Sequence, residues 1–331
     1  MAEHDPREFL RQSGADRLLD YLVGRASLAP SAYNSQPWRF TTPDAATVEL
    51  RPDPSRRLPQ ADPEDRLLHL ALGAALENLM IAARDLGYEP ETEWLPEEGV
   101  AVRVHLGEPG PLPEPPDPLV DAMVRRRSAR GRLSGQKVAE RARAAARNLT
   151  LDPVIADWPD ADTLEVMLVA GEAAERARWA SEGFRAELAR WLRRDRRESE
   201  SLRDGLALTD WLAVPRWAAG WLRRVLLRRP GLLGVGRGLR RRLLRAPAVV
   251  VLSTMGDTRR DWLEAGQAYQ RLGLALTEAG LSLAPEAGAL ASHKARKGAS
   301  KVLGRPEPQV VARIGETKPQ QPQPRRQRPH I

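Results

Sequence analysis

The chain has 331 residues, of which 42% are apolar and none is cysteine, and its formal net charge is +8. That size and apolar share are enough for about two domains with real cores. Without cysteine there can be no disulfide, thiolate metal ligand or cysteine nucleophile, and the composition fits a reducing cytoplasm. The five histidines, at positions 4, 69, 105, 293 and 330, show no ligand-like clustering, so no metal site is expected. Met1 to Leu10 has early acids and no apolar core segment, unlike a signal or transit peptide. No uninterrupted apolar run reaches the roughly 18 residues of a spanning helix, so a chain that does not cross a membrane is expected.

Residues 7 to 26 read as a helix, with Phe9, Leu10, Leu18, Leu19, Leu22 and Val23 at three- and four-residue spacing. The pattern breaks at Leu28 to Phe40. Pro30 and Pro37 disfavour helix at the residues before them, and Ser31, Asn34 and Gln36 place donors and acceptors on a backbone forced to turn. Trp38 and Phe40 then alternate with polar residues as a half-buried strand would, with Thr47 to Leu50 as hairpin partner. On residues alone, a binding loop and a turn capped by its own Ser and Asn both fit. Asp53 to Asp65 is a charged connection. Leu67 to Leu86 is a long helix with Ala71, Gly73, Ala74, Ala75, Ala82 and Ala83 for close packing, stopped by Gly87. Val100 to Leu106 reads as a strand.

Six prolines between Gly107 and Pro118 favour a stiff linker, which divides a first half, 1–115, from a second, 116–331. Asp117 caps and Pro118 opens a helix, and the basic run Arg125 to Arg130 interrupts it. A basic run of this kind can be a solvated face. Val138 to Asn148 reads as helix, Thr163 to Val169 as strand and Glu172 to Arg193 as helix. Between Trp211 and Arg245 stand ten arginines and no acid, with Trp211, Val214, Trp217, Ala218, Trp221, Leu222, Val225 and Leu226 at helical spacing. Val249 to Leu252 is a short buried strand. Trp262 to Ala279 is a second small-residue helix, which parallels Leu67 to Leu86. Val310 to Gly315 is the last strand, and Lys318 to Ile331 has the composition of a disordered tail.

The run Ala-Pro-Ser-Ala-Tyr-Asn-Ser-Gln-Pro-Trp-Arg-Phe at 29–40 resembles the signature loop of the FMN-dependent nitroreductases. The Arg126, Ser128 and Arg130 spacing is similar to that family's Arg-x-Ser-x-Arg, and Gly280 to Gly288 to its Gly-Leu-x-x-x-Pro-x-x-Gly loop. The resemblance implies that Ser31, Ala32 and Asn34 contact flavin, while Arg126, Ser128 and Arg130 hold the FMN phosphate. It further implies that Ala287 and Gly288 meet the reactive flavin edge, and that Arg325 and Arg326 return to the phosphate. Guanidinium forks suit phosphate oxygens. A backbone N–H beside the flavin edge would support charge redistribution without a titrating group.

The first half has the Ser/Asn loop and the second the arginines, with Leu149 to Pro153 where a second loop would stand. The likeness is therefore to the Acg-type branch, single chains of two fused family domains with one FMN site. It implies an α+β fold of two nitroreductase-like halves forming an internal pseudo-dimer, helices around β-sheets, with residues 184–245 as an inserted helical lid. The implied function is an FMN oxidoreductase that takes hydride from NAD(P)H to a nitroaromatic- or quinone-like acceptor, through FMN itself and with no catalytic side chain assigned. Gly231 to Gly236 lacks the preceding strand of a dinucleotide fingerprint. Two alternatives stay open: a protein that stores FMN without catalysis, and one that meets anionic membrane through 211–245. No nucleic acid partner is expected, a homodimer stays open, and His293 is a minor candidate proton donor.

Overall fold

A computed structural model describes residues 5–212, 214–229, 238–318 and 323–326. The chain opens with α1 (Pro6–Gln12), α2 (Ala15–Ala26), β1 (Trp38–Asp44), β2 (Thr47–Pro52), α3 (Arg66–Asp85), β3 (Glu91–Trp94), β4 (Val102–His105) and α4 (Pro118–Arg125). It continues with α5 (Val138–Ala146), β5 (Ile155–Asp157), α6 (Ala161–Ala180), α7 (Glu182–Trp191), β6 (Leu192–Arg193), α8 (Arg196–Leu202), β7 (Leu206–Ala207) and α9 (Leu208–Leu212). Last come α10 (Arg216–Arg228), α11 (Leu239–Leu244), β8 (Ala248–Thr254), α12 (Arg259–Glu278), β9 (Ser282–Pro285), α13 (His293–Leu303) and β10 (Glu307–Gly315).

The architecture is α+β, with two four-stranded antiparallel sheets ordered β1-β2-β4-β3 and β5-β8-β10-β9. Each lies against one side of a central pair of crossing helices, α3 and α12. Leu263 of α12 joins the core under the first sheet, and Leu70 of α3 joins the core under the second. The crossing needs glycine. A Cβ on Gly73 would stand 1.9 Å from the Leu263 carbonyl oxygen, and one on Gly266 2.2 Å from that of Leu70. Beyond the glycines, Glu77 pairs with Arg271 at 2.5 Å and Gln270 donates to Asn78 at 2.7 Å. Leu70, Gly73, Glu77 and Asn78 thus face Leu263, Gly266, Gln270 and Arg271 reciprocally, in the same order and spacing.

Several expectations need correction. The helix expected over 7–26 is two, split before Ala15 by Gly14, whose φ of +93° is a glycine conformation. Residues 163–169 are not a strand but the start of α6, capped by Asp160 through the Thr163 N–H. Leu164, Met167 and Leu168 are buried there while Val166 and Val169 face solvent, a helical rather than an alternating pattern. The helix expected from 172 to 193 breaks at Ser181, which leaves α6 and caps α7 through Phe184 N–H. Strands β3, β5 and β9, each of three or four residues, had no expected counterpart. By length and mean hydropathy, 1.3, α3 does reach the range of a spanning helix, yet 89% of that apolar window is buried inside the fold.

Candidate functional site

The loop between α2 and β1 is strained where its side chains are polar. Tyr33, Asn34 and Gln36 have φ of +53°, +54° and +52°, a region that residues with a Cβ seldom hold and that costs about 1–3 kcal/mol each. Ser31 stabilises the turn by accepting from the Gln36 N–H at 2.9 Å. The other two polar side chains reach away from the loop. Asn34 donates to the Pro324 carbonyl at 3.0 Å and accepts from Arg325 at 2.7 Å, about 290 residues away in the chain. Gln36 donates to the Arg203 carbonyl at 2.8 Å and accepts from the Arg326 N–H at 2.9 Å. The loop is where the 323–326 segment and the helical segment after α6 meet the first half.

Beside it lies a group of arginines. Helix α4 ends at Arg125, and the chain then runs extended along β9, with Ser128 bridged in parallel to Leu283 and Ala129 N–H donating to the Leu283 carbonyl at 2.9 Å. Arg126 is buried; it donates to Ser128 Oγ at 3.2 Å and to the Leu28 carbonyl at 3.3 Å. Arg325 donates to the same Leu28 carbonyl at 2.9 Å. Arg130 reaches Gln323 at 3.4 Å. Among the described residues, Arg126, Arg127, Arg130 and Arg325 form no ion pair with a carboxylate. Buried donors are left over as well: Arg126 Nε, Arg127 Nε and Arg130 Nη1 have no partner.

Burial pulls Arg126, Arg127 and Arg130 below the usual arginine value. Arg325 keeps partial exposure, but its guanidinium lies deep enough that burial, then the charges of Arg126 and Arg127, bring it down to about 9. For a base the depressed value means that the folded state disfavours the cation. The penalty is at full size below about pH 9 and fades as pH rises toward the unfolded value, so it is present at neutral pH. Buried and half-buried cations with unused buried donors form an environment suited to an anion, and a phosphate would satisfy charge and donors together.

Arg326 points elsewhere: its guanidinium meets the Gln36 carbonyl and Asp53, each at 3.3 Å. It anchors the tail segment. Ala32 opens the short turn Ala32–Asn34 and accepts from the Ser35 N–H at 2.9 Å. Ala287 and Gly288 begin the turn after β9, so the strand that supports Ser128 leads directly into them. Gly288 packs against Glu175 of α6, whose carboxylate oxygen lies 2.2 Å from where a Cβ would stand. Glu175 also accepts from Arg178 at 2.6 Å and from the Trp179 indole at 3.1 Å. Tyr33 packs against the core cluster that includes Trp179 and Phe184, and burial pushes its hydroxyl up to about 12. His293 is exposed at the start of α13.

The segment α7 to α9 reaches the loop through the Arg203 carbonyl and Gly205 N–H, and holds the 53–65 connection beside it through contacts that no sequence motif announced. Glu187 accepts from the Gln60 and Ala61 N–H groups at 2.9 Å, and Asp204 pairs with Arg56 at 3.1 Å. Glu175 and Arg127 were likewise not expected at the site. Arg127 could have been suspected only from its place between Arg126 and Ser128. Of the expected lid, residues 213 and 230–237 lie outside the described residues.

No family model matches the chain. Two Mycobacterium tuberculosis proteins with the provisional names NAD(P)H nitroreductase Rv3131 and NAD(P)H nitroreductase MT3217 are 34% identical over 128 residues. The match covers 36% of this chain and 36% of each relative, so the chain spans about a third of the length of the curated relatives it matches. Among solved structures, the FMN-dependent nitroreductase NfnB of Mycobacterium smegmatis in complex with NADPH is similar at a TM-score of 0.39 and 18% identity, over 61% of this chain and 88% of that one. Iodotyrosine deiodinase bound to FMN and 3-iodo-L-tyrosine is similar at a TM-score of 0.37 and 15% identity, over 64% and 96%. Superpositions this partial carry no argument about the site. Over those 128 residues the chain is similar to proteins named as nitroreductases.

Proposed function

We propose that the chain is an FMN-dependent oxidoreductase of the nitroreductase type, reduced by NAD(P)H and passing hydride to a nitroaromatic- or quinone-like acceptor. The observation that carries this reading is the group of buried and half-buried arginines without carboxylate partners, set against the strained Asn34 loop. Arg126, Arg130 and Arg325 would hold the FMN phosphate, with Ser128 adding a hydroxyl, while Asn34 fixes Arg325 and the loop presents Ser31 and Ala32 to the flavin. Ala287 and Gly288 would offer backbone N–H groups to the ring, a role that changes no protonation state. Bound FMN would supply the two-electron chemistry; the chain binds, orients and shields it. The covering segment α7 to α9 would exclude water from the ring, which strengthens each of these polar contacts.

The site would be composite. In this reading 1–115 and 116–331 are two fused nitroreductase-like halves, residues 184–245 are the lid, and a single FMN binds per chain. The reciprocal contacts of α3 and α12 support an internal pseudo-two-fold relation, and the arginines and the Asn34 loop lie in different halves.

Glu175, packed against Gly288 and held there by the Trp179 indole, favours a second reading, in which the flavin is held without turnover. Turnover separates the two. Purified protein loaded with FMN is expected to oxidise NADPH or NADH in the presence of a nitroaromatic or quinone. A yellow protein inert to both nucleotides with every acceptor tried would leave storage as the function.

A further inference from the structure

The arginine-rich stretch 211–245 falls within the lid of the flavin reading, but its exposed arginines have no role at that site. We propose that the outward face of α10 docks on membrane surfaces rich in anionic lipid. Helix α10 buries Ala219 and Leu226 in a core that also holds Phe184 and Leu188 of α7, and Arg223 ties it down by donating to the Ala189 carbonyl at 2.8 Å. Its other face is open. Trp217 is 86% exposed and Trp221 62%, and exposed Arg224 and Arg228 continue the same stripe, at steps of four, three and four residues along one side of a helix. Exposed indoles in this number are unusual on a surface that meets only water.

Charge complementarity selects the occupant. Arg216 is neutralised by Asp195, but among the described residues Arg224, Arg228 and Arg229 have no carboxylate partner, and α10 itself contains no acid. A second copy would set this cationic stripe against itself. A phosphodiester backbone would engage the arginine end and leave the adjacent pair of indoles in water. At the boundary between headgroups and acyl chains both ends are satisfied: indoles sit at that depth, and guanidinium groups meet lipid phosphates. The inference is independent of whether the chain binds flavin.

The test is flotation of the full chain with phosphatidylcholine vesicles, with and without phosphatidylglycerol. The chain is expected to float only with phosphatidylglycerol and to be released as salt rises. Trp217→Ala with Trp221→Ala should weaken binding by more than about tenfold with the melting temperature unchanged. Arg224→Glu with Arg228→Glu, two solvent-facing changes that leave packing alone, should abolish it. Failure to float with phosphatidylglycerol overturns the proposal, as does binding that survives either double substitution. Retention by duplex DNA without any vesicle binding would overturn it too, and would assign the stripe to nucleic acid.

Discussion

Arg126→Met is expected to weaken FMN binding ten- to hundredfold while leaving the apo protein as stable as before or more so. The affinity loss follows from one charge-assisted phosphate contact, about 1.5–3 kcal/mol. The stability result is the more telling half. Removing one partner of a buried ion pair ordinarily costs about 3–5 kcal/mol because a charge is stranded, but Arg126 has no carboxylate to strand. Its Nε is already without a partner, its cation is disfavoured by burial and by Arg127, and Arg325 still serves the Leu28 carbonyl. Ser128, partly exposed, can turn to water. Methionine keeps most of the apolar stem that lies over Gly273. Calorimetric melting of the apo chain and titration with FMN measure both halves. A lower melting temperature with unchanged FMN affinity would make Arg126 a structural residue.

The largest loss of stability is expected from Gly266→Val. The added carbons would enter space held by the Leu70 carbonyl, 2.2 Å away, and the Gly73 Cα, 3.0 Å away. Both obstacles are backbone, so no rotamer change relieves them and the helices must separate. Overpacking that side chains can absorb costs about 1–3 kcal/mol, and this site should exceed it. Better helix propensity returns less than about 1 kcal/mol. Against a total stability of about 5–15 kcal/mol, a shift of this size is plain in denaturant unfolding. A variant that unfolds at the parent's midpoint would mean that α3 and α12 do not cross this closely.

The sequence exposed the frame because its frame depends on small residues and turn formers. Gly73, Ala74, Ala75, Gly266 and Ala268 marked the two central helices, and Pro118 behind Asp117 marked the start of α4. What it hid was set by tertiary context. Thr163 to Val169 read as a strand, where burial of Leu164 and Leu168 makes a helix. Strands β5 and β9 are too short to show a period, and exist because β8 and β10 offer them edges. Asn34, Arg126, Ser128, Arg130 and Arg325 were singled out through a familiar loop, a familiar spacing and a basic pair after the last strand, and Asn34, Arg126, Ser128 and Arg325 lie near one another in the fold. The contacts around them were not legible: Glu175, Glu187 and Asp204 lie in ordinary charged helix and loop sequence, and only the fold brings them to Gly288, to the Gln60 and Ala61 backbone and to Arg56. Arg326 read as a second phosphate ligand, but Asp53 draws it away.

The central claim is that the arginines and the Asn34 loop make one phosphate-reading flavin site from two halves of the chain. Titration of the apo chain with FMN and with riboflavin, which lacks the phosphate, tests this most directly. One FMN should bind per chain, with riboflavin weaker by at least about tenfold because the phosphate contacts are lost. Equal affinity for the two flavins, or two FMN per chain, would contradict it.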